Sequence, residues 1–435
     1  MSRVALVNPR WDFAGSIYFG CREPHLPLEL GYARALLERD GHRVLLLDAH
    51  LEEVDGEAVR ERVAAFAPDL TVVPSAPTYL FWRCPPPELR VPAQTLATIG
   101  DAGGHTVVVG PHASTSPTTT LRKLDADAAV LGECEEVIAA LANTRFSDWA
   151  SVDGLATREA DGTPRIHGSP HTTDLGRLPA LAWPDELVGS HRHHHHRFDA
   201  EIEGAAAEIE WSRGCPFRCT FCAKETHRDR YRKRPLPTVL AELDGLISQG
   251  VGYVYFIDEI FLPDQQLLAE LRRRPVRFGV QTRIDLWSLE ELDLLGLAGC
   301  VTIEAGIESL TAQGRDRLDK RCRLDNVALA ERLVHARRTV PFVQATLMRA
   351  RADEDELVAP FRDALRAKGV WVNDPVPLFP YPGSPDYRRR WGEPDERAWE
   401  RAHAFYLGRF DRLSDIQDQR VVRLPVLEGV HGSPS

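Results

Sequence analysis

The chain of 435 residues lacks any apolar run approaching the roughly 20 residues that span a bilayer. Its opening MSRVALVNPRW runs into a strand-like segment and lacks the apolar core of a secretory signal, so a cytoplasmic chain with no membrane partner is expected. An excess of positive charge is also missing: 53 Lys and Arg against 64 Asp and Glu leave a net −11. A protein that tracks nucleic-acid phosphates carries a basic stripe, so this balance argues against such a partner. Cysteine is sparse, at eight residues, and a reducing compartment argues against a disulfide framework. Cys21, Cys84, Cys134, Cys300 and Cys322 are scattered without metal-ligand spacing and read as buried filler or surface thiols.

What is present is a long alternation of strand-like and helix-like segments. The length suits two domains, and 43% hydrophobic with 27% charged residues is ordinary for a globular chain. Residues 1–145 alternate as a Rossmann-like, doubly wound parallel sheet, with strands at Arg3–Val7, Val44–Asp48, Leu70–Pro74, Thr106–Val109 and Ala128–Leu131. Ligands of such sheets sit at the strand carboxyl ends, which read NPRW, DAH, PSAPTY, GPHAS and GECEE. Residues 146–205 form a Gly-, Pro- and Asp-rich linker with one hairpin and the histidine run SHRHHHHRFDA, read as a solvated loop. Residues 206–390 show six strands, near Ala207, Tyr253, Arg277, Val301, Phe342 and Val370, separated by amphipathic helices. That pattern predicts an α/β fold of a second kind, a partial (β/α)6 TIM-like barrel. Residues 391–435 are a C-terminal helical extension whose AWERAHAFYLGRF reads as a capping helix.

Right after the first barrel strand stands WSRGCPFRCTFCAK, with Cys215, Cys219 and Cys222 spaced Cys-x3-Cys-x2-Cys. Zinc competes for such thiolates, and His227 offers a fourth ligand for a Cys3His set. A 4Fe–4S cluster held by three thiolates keeps one iron open, which makes it a binding site. Pro216, Phe217 and Phe221 among the cysteines suit shielding a cluster from water.

CPFRCTFC resembles the signature loop of the radical S-adenosylmethionine (radical SAM) superfamily, over about residues 206–390. The resemblance implies a 4Fe–4S cluster on Cys215, Cys219 and Cys222, with S-adenosylmethionine bound by Phe221, by Asp258 and Glu259 of FIDE, by Arg283 of QTRID, by Glu304, Glu308 and Ser309 of IEAGIES, and by Gln344. YPGSP at 381–385 is similar to the family's Pro-Gly loop. The read-across for Asp258, Glu259 and Arg283 competes with a plain structural role, helix capping for the acids and a barrel salt bridge for the arginine. A Rossmann-like domain ahead of this barrel resembles the cobalamin-dependent branch, and no GxGxxG follows the first strand to support a nicotinamide site. That branch implies cobalamin against Pro9, Ser75, Thr78, Tyr79, Leu80, Gly110, Pro111, His112, Gly132 and Glu133. The chain departs from the Asp-x-His-x-x-Gly pattern that supplies a lower histidine to cobalt: Asp48-Ala49-His50 begins it, but Glu53 replaces the glycine. Tyr79 or Leu80 is then expected nearest the lower face.

The resemblance implies an enzyme, most plainly a methyltransferase acting on an unactivated carbon of a small molecule through a 5′-deoxyadenosyl radical and methylcobalamin, with a flavodoxin or ferredoxin as electron donor. Rearrangement, cyclisation or oxidation with the same cofactors, methylthiolation of transfer RNA, and a non-catalytic cobalamin sensor are the alternatives. Trp371, Tyr381, Trp399, His403 and Tyr406 are candidates to line or cap the cavity, or else core.

Overall fold

The computed structural model describes residues 1–19, 21, 23–78, 85–159, 161–191, 204–349, 355–409, 412–414 and 421–423. Tyr79, Leu80, Cys84 and the histidines at 193–196 lie outside them. Five parallel strands, β1 (Arg3–Asn8), β2 (Arg43–Asp48), β3 (Leu70–Pro74), β4 (His105–Val109) and β5 (Ala128–Val130), stand in the order β2-β1-β3-β4-β5. Alternation puts Val72 and Val107 in one core and Val73 and Val108 in the other, so both faces of the sheet are covered. The chain reverses direction of winding between β1 and β3, the place where such sheets open a crevice.

The hairpin expected in the linker, β6 (Leu155–Arg158) with β7 (Pro164–His167), adds antiparallel to β5. The first sheet therefore runs past residue 145 to His167, because the short β5 would otherwise leave a bare edge. His191, read as part of a solvated loop, is buried at 3% exposure.

The second sheet holds β8 (Ala205–Ile209), β11 (Val251–Phe256), β12 (Arg277–Thr282), β13 (Cys300–Glu308), β14 (Phe342–Arg349) and β15 (Trp371–Val372), all parallel and adjacent in chain order. These are the six expected barrel strands. A small ribbon, β9 (Ser212–Arg213) against β10 (Arg232–Lys233), closes the cysteine loop at its neck. One apolar core runs from Val4 and Leu36 through to Val254 and Ile303, so the two sheets share it. The helix Ala398–Leu407 caps the first domain: Trp399 and Tyr406 are buried, Trp399 Nε1 donates to Ser116 Oγ at 3.1 Å, and Tyr406 joins Trp11, Phe13 and Tyr18 in an apolar cluster. Among the described residues no helix is long and apolar enough to cross a membrane.

A buried ionic network joins the domains. Arg213, wholly buried, reaches Glu133, Glu135 and Glu210 at 2.8 Å each. Arg228 reaches Glu210 at 2.9 Å, Glu29 at 3.1 Å and Glu259 at 3.4 Å, and Arg232 pairs with Glu133. Glu29, Glu133 and Glu135 belong to the first domain; the arginines flank the cysteine loop. Truncating an arginine here leaves several carboxylates buried without a partner, a cost of about 3–5 kcal/mol. Arg213→Met is expected to lose stability of that order in denaturant titration, whereas a surface pair such as Arg273 with Glu270 is expected to cost under about 1 kcal/mol.

Candidate active site

The cysteine loop is held before any ligand arrives. Gly214, at its entry, has φ +82°, and a Cβ there would stand 2.0 Å from the Arg230 carbonyl oxygen, so glycine alone fits the neck. Asp258, at the end of β11, accepts from the backbone N–H of Trp211 at 2.9 Å and of Ser212 at 2.7 Å, and from the Ser212 hydroxyl. Lys224 Nζ donates to the Cys215 carbonyl at 2.7 Å and to Asp229 Oδ1 at 2.7 Å. Thr220 donates its N–H to the Leu318 carbonyl and accepts from Asp386 N–H, both at 2.9 Å, which ties the loop to the YPGSP turn. Cys215, Cys219 and Cys222 are half-buried and unbridged.

Burial pushes all three thiols up, Cys219 to about 11 despite Lys320 beside it, and Cys222 further, with Cys215 and Cys219 adding to its rise. Thiolates form here when a metal repays the desolvation. Among the described residues the group of three metal-competent donor atoms lying within 4.8 Å of one another is elsewhere, and the three sulfurs do not form one. A single tetrahedral zinc would draw its sulfurs to about 3.8 Å of each other. His227, the candidate fourth zinc ligand, is turned to the Gly132 carbonyl, with Nδ1 at 3.0 Å.

Around the loop stand several of the expected residues. Glu259 Oε2 accepts the Gly214 N–H at 2.8 Å, beside Cys215, and burial raises its carboxyl while Arg228 opposes the rise. Arg283 forms a two-pronged pair with Asp285 at 3.1 and 2.7 Å and lies 4.0 Å over the Phe217 ring. Among the described residues its Nη1 is buried without a partner, a spare donor within the field of Cys219 and Glu308. Glu308, at φ +61° beyond a bulge in β13, pairs with Lys320. Gln281, Glu304, Gln344 and Trp371 align in register across four strands and share a face, and Tyr255 donates to Glu304 Oε2 at 3.2 Å. Gln344 Nε2 donates to Thr346 Oγ1 at 3.3 Å, Phe221 is half-buried, and Ser309 closes the turn after β13 by hydrogen bonds with Thr311. Asp258 is thus a brace of the loop neck, and Ser309 a brace of a turn.

The first-domain expectations divide. Pro9, Ser75 and Thr78 lie at the ends of β1 and β3, at the crevice. Thr78 donates to Glu29 Oε2 at 2.7 Å. A small pocket lies there, walled by Trp11, Phe13, His25, His50 and Pro77. His112, which follows Gly110 and Pro111 at a helix start, spends both nitrogens on protein, Nδ1 at 3.1 Å from Ser75 Oγ and Nε2 at 2.7 Å from the Pro86 carbonyl. Burial lowers its pKa to about 4, and it braces the loop as a neutral ring. Gly132, at φ +82°, is covered by His171, whose carbonyl oxygen a Cβ would approach to 2.3 Å. Glu133 belongs to the ionic network: burial would raise it, but Arg213 and Arg232 bring it down to about 2. Gly132 and Glu133 therefore serve the domain junction. Arg213, Arg228, Lys224 and Lys320 were not anticipated, since no local spacing marks an arginine whose partners are far away in sequence.

Residues 209–356 match the model of the Radical SAM superfamily. An uncharacterized methyltransferase of Pyrococcus horikoshii is 24% identical over 71% of this chain and 65% of its own length. The anaerobic magnesium-protoporphyrin IX monomethyl ester cyclase of Rubrivivax gelatinosus is 26% identical over 73% of this chain and 57% of its own. The chain thus spans less than two thirds of the length of either relative. The radical S-adenosylmethionine methyltransferase TsrM of Kitasatospora setae, solved with cobalamin and a [4Fe–4S] cluster, superposes with a TM-score of 0.70 at 20% identity, covering 89% of this chain and 77% of that one.

Asp48 generates a pH prediction. It is fully buried and accepts from Asn8 Nδ2 at 3.0 Å and from the N–H of His50 and Leu51. Burial raises its pKa to about 7. The protonated form is favoured in the fold, so its contribution is complete below about pH 4, falls as pH rises, and is lost above 7. Relative to Asp48→Asn, the native chain is expected to lose about 2 kcal/mol between pH 5 and 8; denaturant titrations at both values check this.

Residues 209–356 thus match the Radical SAM superfamily, and over 89% of its length the chain shares the fold of the TsrM methyltransferase.

Proposed function

We propose that the chain is a cytoplasmic, cobalamin-dependent radical SAM enzyme that methylates an unactivated carbon of a small molecule, taking electrons from a flavodoxin or ferredoxin. The observation that carries this reading is the meeting of two strand-end faces at the cysteine loop. Arg228 binds Glu29 of the first domain and Glu259 of the barrel, Thr226 meets Thr115 at 3.3 Å, and His227 meets Gly132. Two cofactor sites on one shared substrate is a positioning problem that this junction answers.

In this reading Cys215, Cys219 and Cys222 hold a 4Fe–4S cluster, and cobalamin lies against Pro9, Ser75 and Thr78 at the crevice. A cluster with an open iron supplies one-electron cleavage of S-adenosylmethionine, and cobalamin supplies a transferable methyl group. The chain's own residues bind and orient. Among the described residues Glu29, Glu133, Glu135, Glu210 and Glu259 pair with Arg213, Arg228 and Arg232, and burial raises the carboxyls of Glu29 and Glu259. An ammonium group arriving at Glu259 would bring a positive partner to a carboxyl that burial holds against ionisation. The spare Nη1 of Arg283 supplies a donor for the carboxylate of the same ligand. Phe217 beneath Arg283 keeps water off the guanidinium face.

Anaerobic protein reconstituted with iron, sulfide and hydroxocobalamin is expected to consume S-adenosylmethionine under strong reductant and to add one methylene to its product by mass. An unchanged product mass with the nucleotide consumed favours rearrangement or cyclisation. No consumption removes the enzyme reading. Glu259→Gln and Arg283→Gln are each expected to weaken S-adenosylmethionine binding about 10- to 100-fold in equilibrium dialysis, about 1.4–2.8 kcal/mol, with iron content unchanged. Replacing Cys215, Cys219 and Cys222 together by alanine is expected to abolish the iron–sulfur absorption.

A further inference from the structure

Away from the cysteines, three residues distant in sequence converge on one point. Glu208, on β8, places Oε1 2.6 Å from His25 Nδ1, and its two oxygens lie 2.9 and 2.7 Å from His191 Nε2. One donor atom from each residue falls within 4.8 Å of the other two, and the Glu208 and His191 side chains are almost fully buried, with His25 nearly so. The imidazoles stand at 75° to each other with centroids 6.3 Å apart, so their nitrogen edges approach the carboxylate from different sides. The Leu26 N–H, next to His25, donates to Glu208 Oε2 at 3.0 Å and fixes the carboxylate from outside the group.

A hydrogen-bonded trio is the simplest account of such contacts. Yet a single N–H on His191 Nε2 points along one line, while both carboxylate oxygens sit within 2.9 Å of that nitrogen. A point cation between the three groups takes one imidazole nitrogen from each histidine and one oxygen from Glu208, three protein ligands that leave a fourth tetrahedral position for water. Ligand distances of about 2.0–2.2 Å put tetrahedral donor atoms about 3.3 Å apart. Small side-chain rotations reach that from the present separations. The backbone N–H on Glu208 is the outer-shell bond that metal-bound carboxylates need. His25 also lines the small pocket at the ends of β1 to β3, the side from which an ion would arrive.

We propose that His25, His191 and Glu208 form a metal site, separate from the cysteine loop, that holds a structural Zn²⁺ and clasps the first domain, the connecting segment and the first barrel strand together. Nitrogen and carboxylate donors in a four-coordinate set suit zinc, and divalent affinity orders zinc above iron and manganese at such a site. His25 lies in the loop before the helix Leu28–Arg39, which carries Glu29 to Arg228. His191 ends the helix Asp185–Ser190. The ion therefore pins the segment joining the two sheets at the point where both are anchored. It takes no part in the radical chemistry, and the assignment stands whether or not that reading holds.

The test is elemental analysis of the full chain, reconstituted anaerobically with iron and sulfide, supplied with zinc and cleared of loose ions by a chelator. One zinc per chain beside the iron is expected. His25→Ala is expected to lower zinc at least tenfold while iron content and iron–sulfur absorption stay as in the native chain. Serine at 193–196, and alanine at Cys215, Cys219 and Cys222, are each expected to leave zinc in place, which separates the site from the histidine run and from zinc on the thiolates. Zinc-edge X-ray absorption of the native chain gives a second readout that does not depend on how the variant folds: nitrogen and oxygen neighbours only, at about 2.0 Å. No retained zinc, undiminished zinc in His25→Ala, zinc lost with the 193–196 histidines or with the cysteines, or a sulfur shell at the edge each overturns the assignment.

Discussion

The buried ion network between Arg213, Arg228, Arg232 and their carboxylates is the constraint on which the rest of this molecule depends. Charges taken out of water repay their desolvation only when geometry and hydrogen bonding are nearly complete. Arg213 meets three carboxylates at 2.8 Å each, and those carboxylates come from both domains. Any shift of one sheet against the other would strand charge in the interior. The network therefore specifies the angle at which the two sets of strand ends meet, in a way that apolar contact, being non-directional, does not.

The cysteine loop inherits its shape from that junction. Its neck is closed by Asp258 on two backbone N–H groups, and its far side is held by Thr220 on Leu318 and Asp386. Its exit carries Arg228 into the network. Among the described residues, the Glu259 carboxyl, raised by burial, and the spare donor of Arg283 stand at this loop beside the three thiols. Preorganisation of this kind is what electrostatic positioning requires, since dipoles already in place need no reorganisation when the ligand binds.

Much of this was legible from residue order. Periodicity placed the helix Leu28–Arg39 and the strand Leu70–Pro74 at their observed bounds, because the first is amphipathic and the second is a short, mostly apolar run. The six barrel strands were legible for the same reason. Site residues fared according to how far their partners lie. Glu259 and Arg283 follow strand ends directly, and both reach the loop. Gly132, Glu133 and His112 also follow strand ends, yet they face the linker, the arginines and Pro86. A strand-end position says that a residue is near the crevice edge of a sheet. It does not say what chain crosses above it.

The amino-acid order by itself determined the two parallel sheets and the thiolate spacing, since both follow from local pattern: the apolar period within each element, and three cysteines within eight positions. Tertiary structure alone decided which charges would be partners. Arg228 and Glu29 are 199 residues apart, and His25 and Glu208 are 183 apart. Pairings at such separations arise when helices and strands pack, and electrostatic energy depends on the distances that packing sets. That is why the junction and the histidine–glutamate clasp were invisible until the chain was folded.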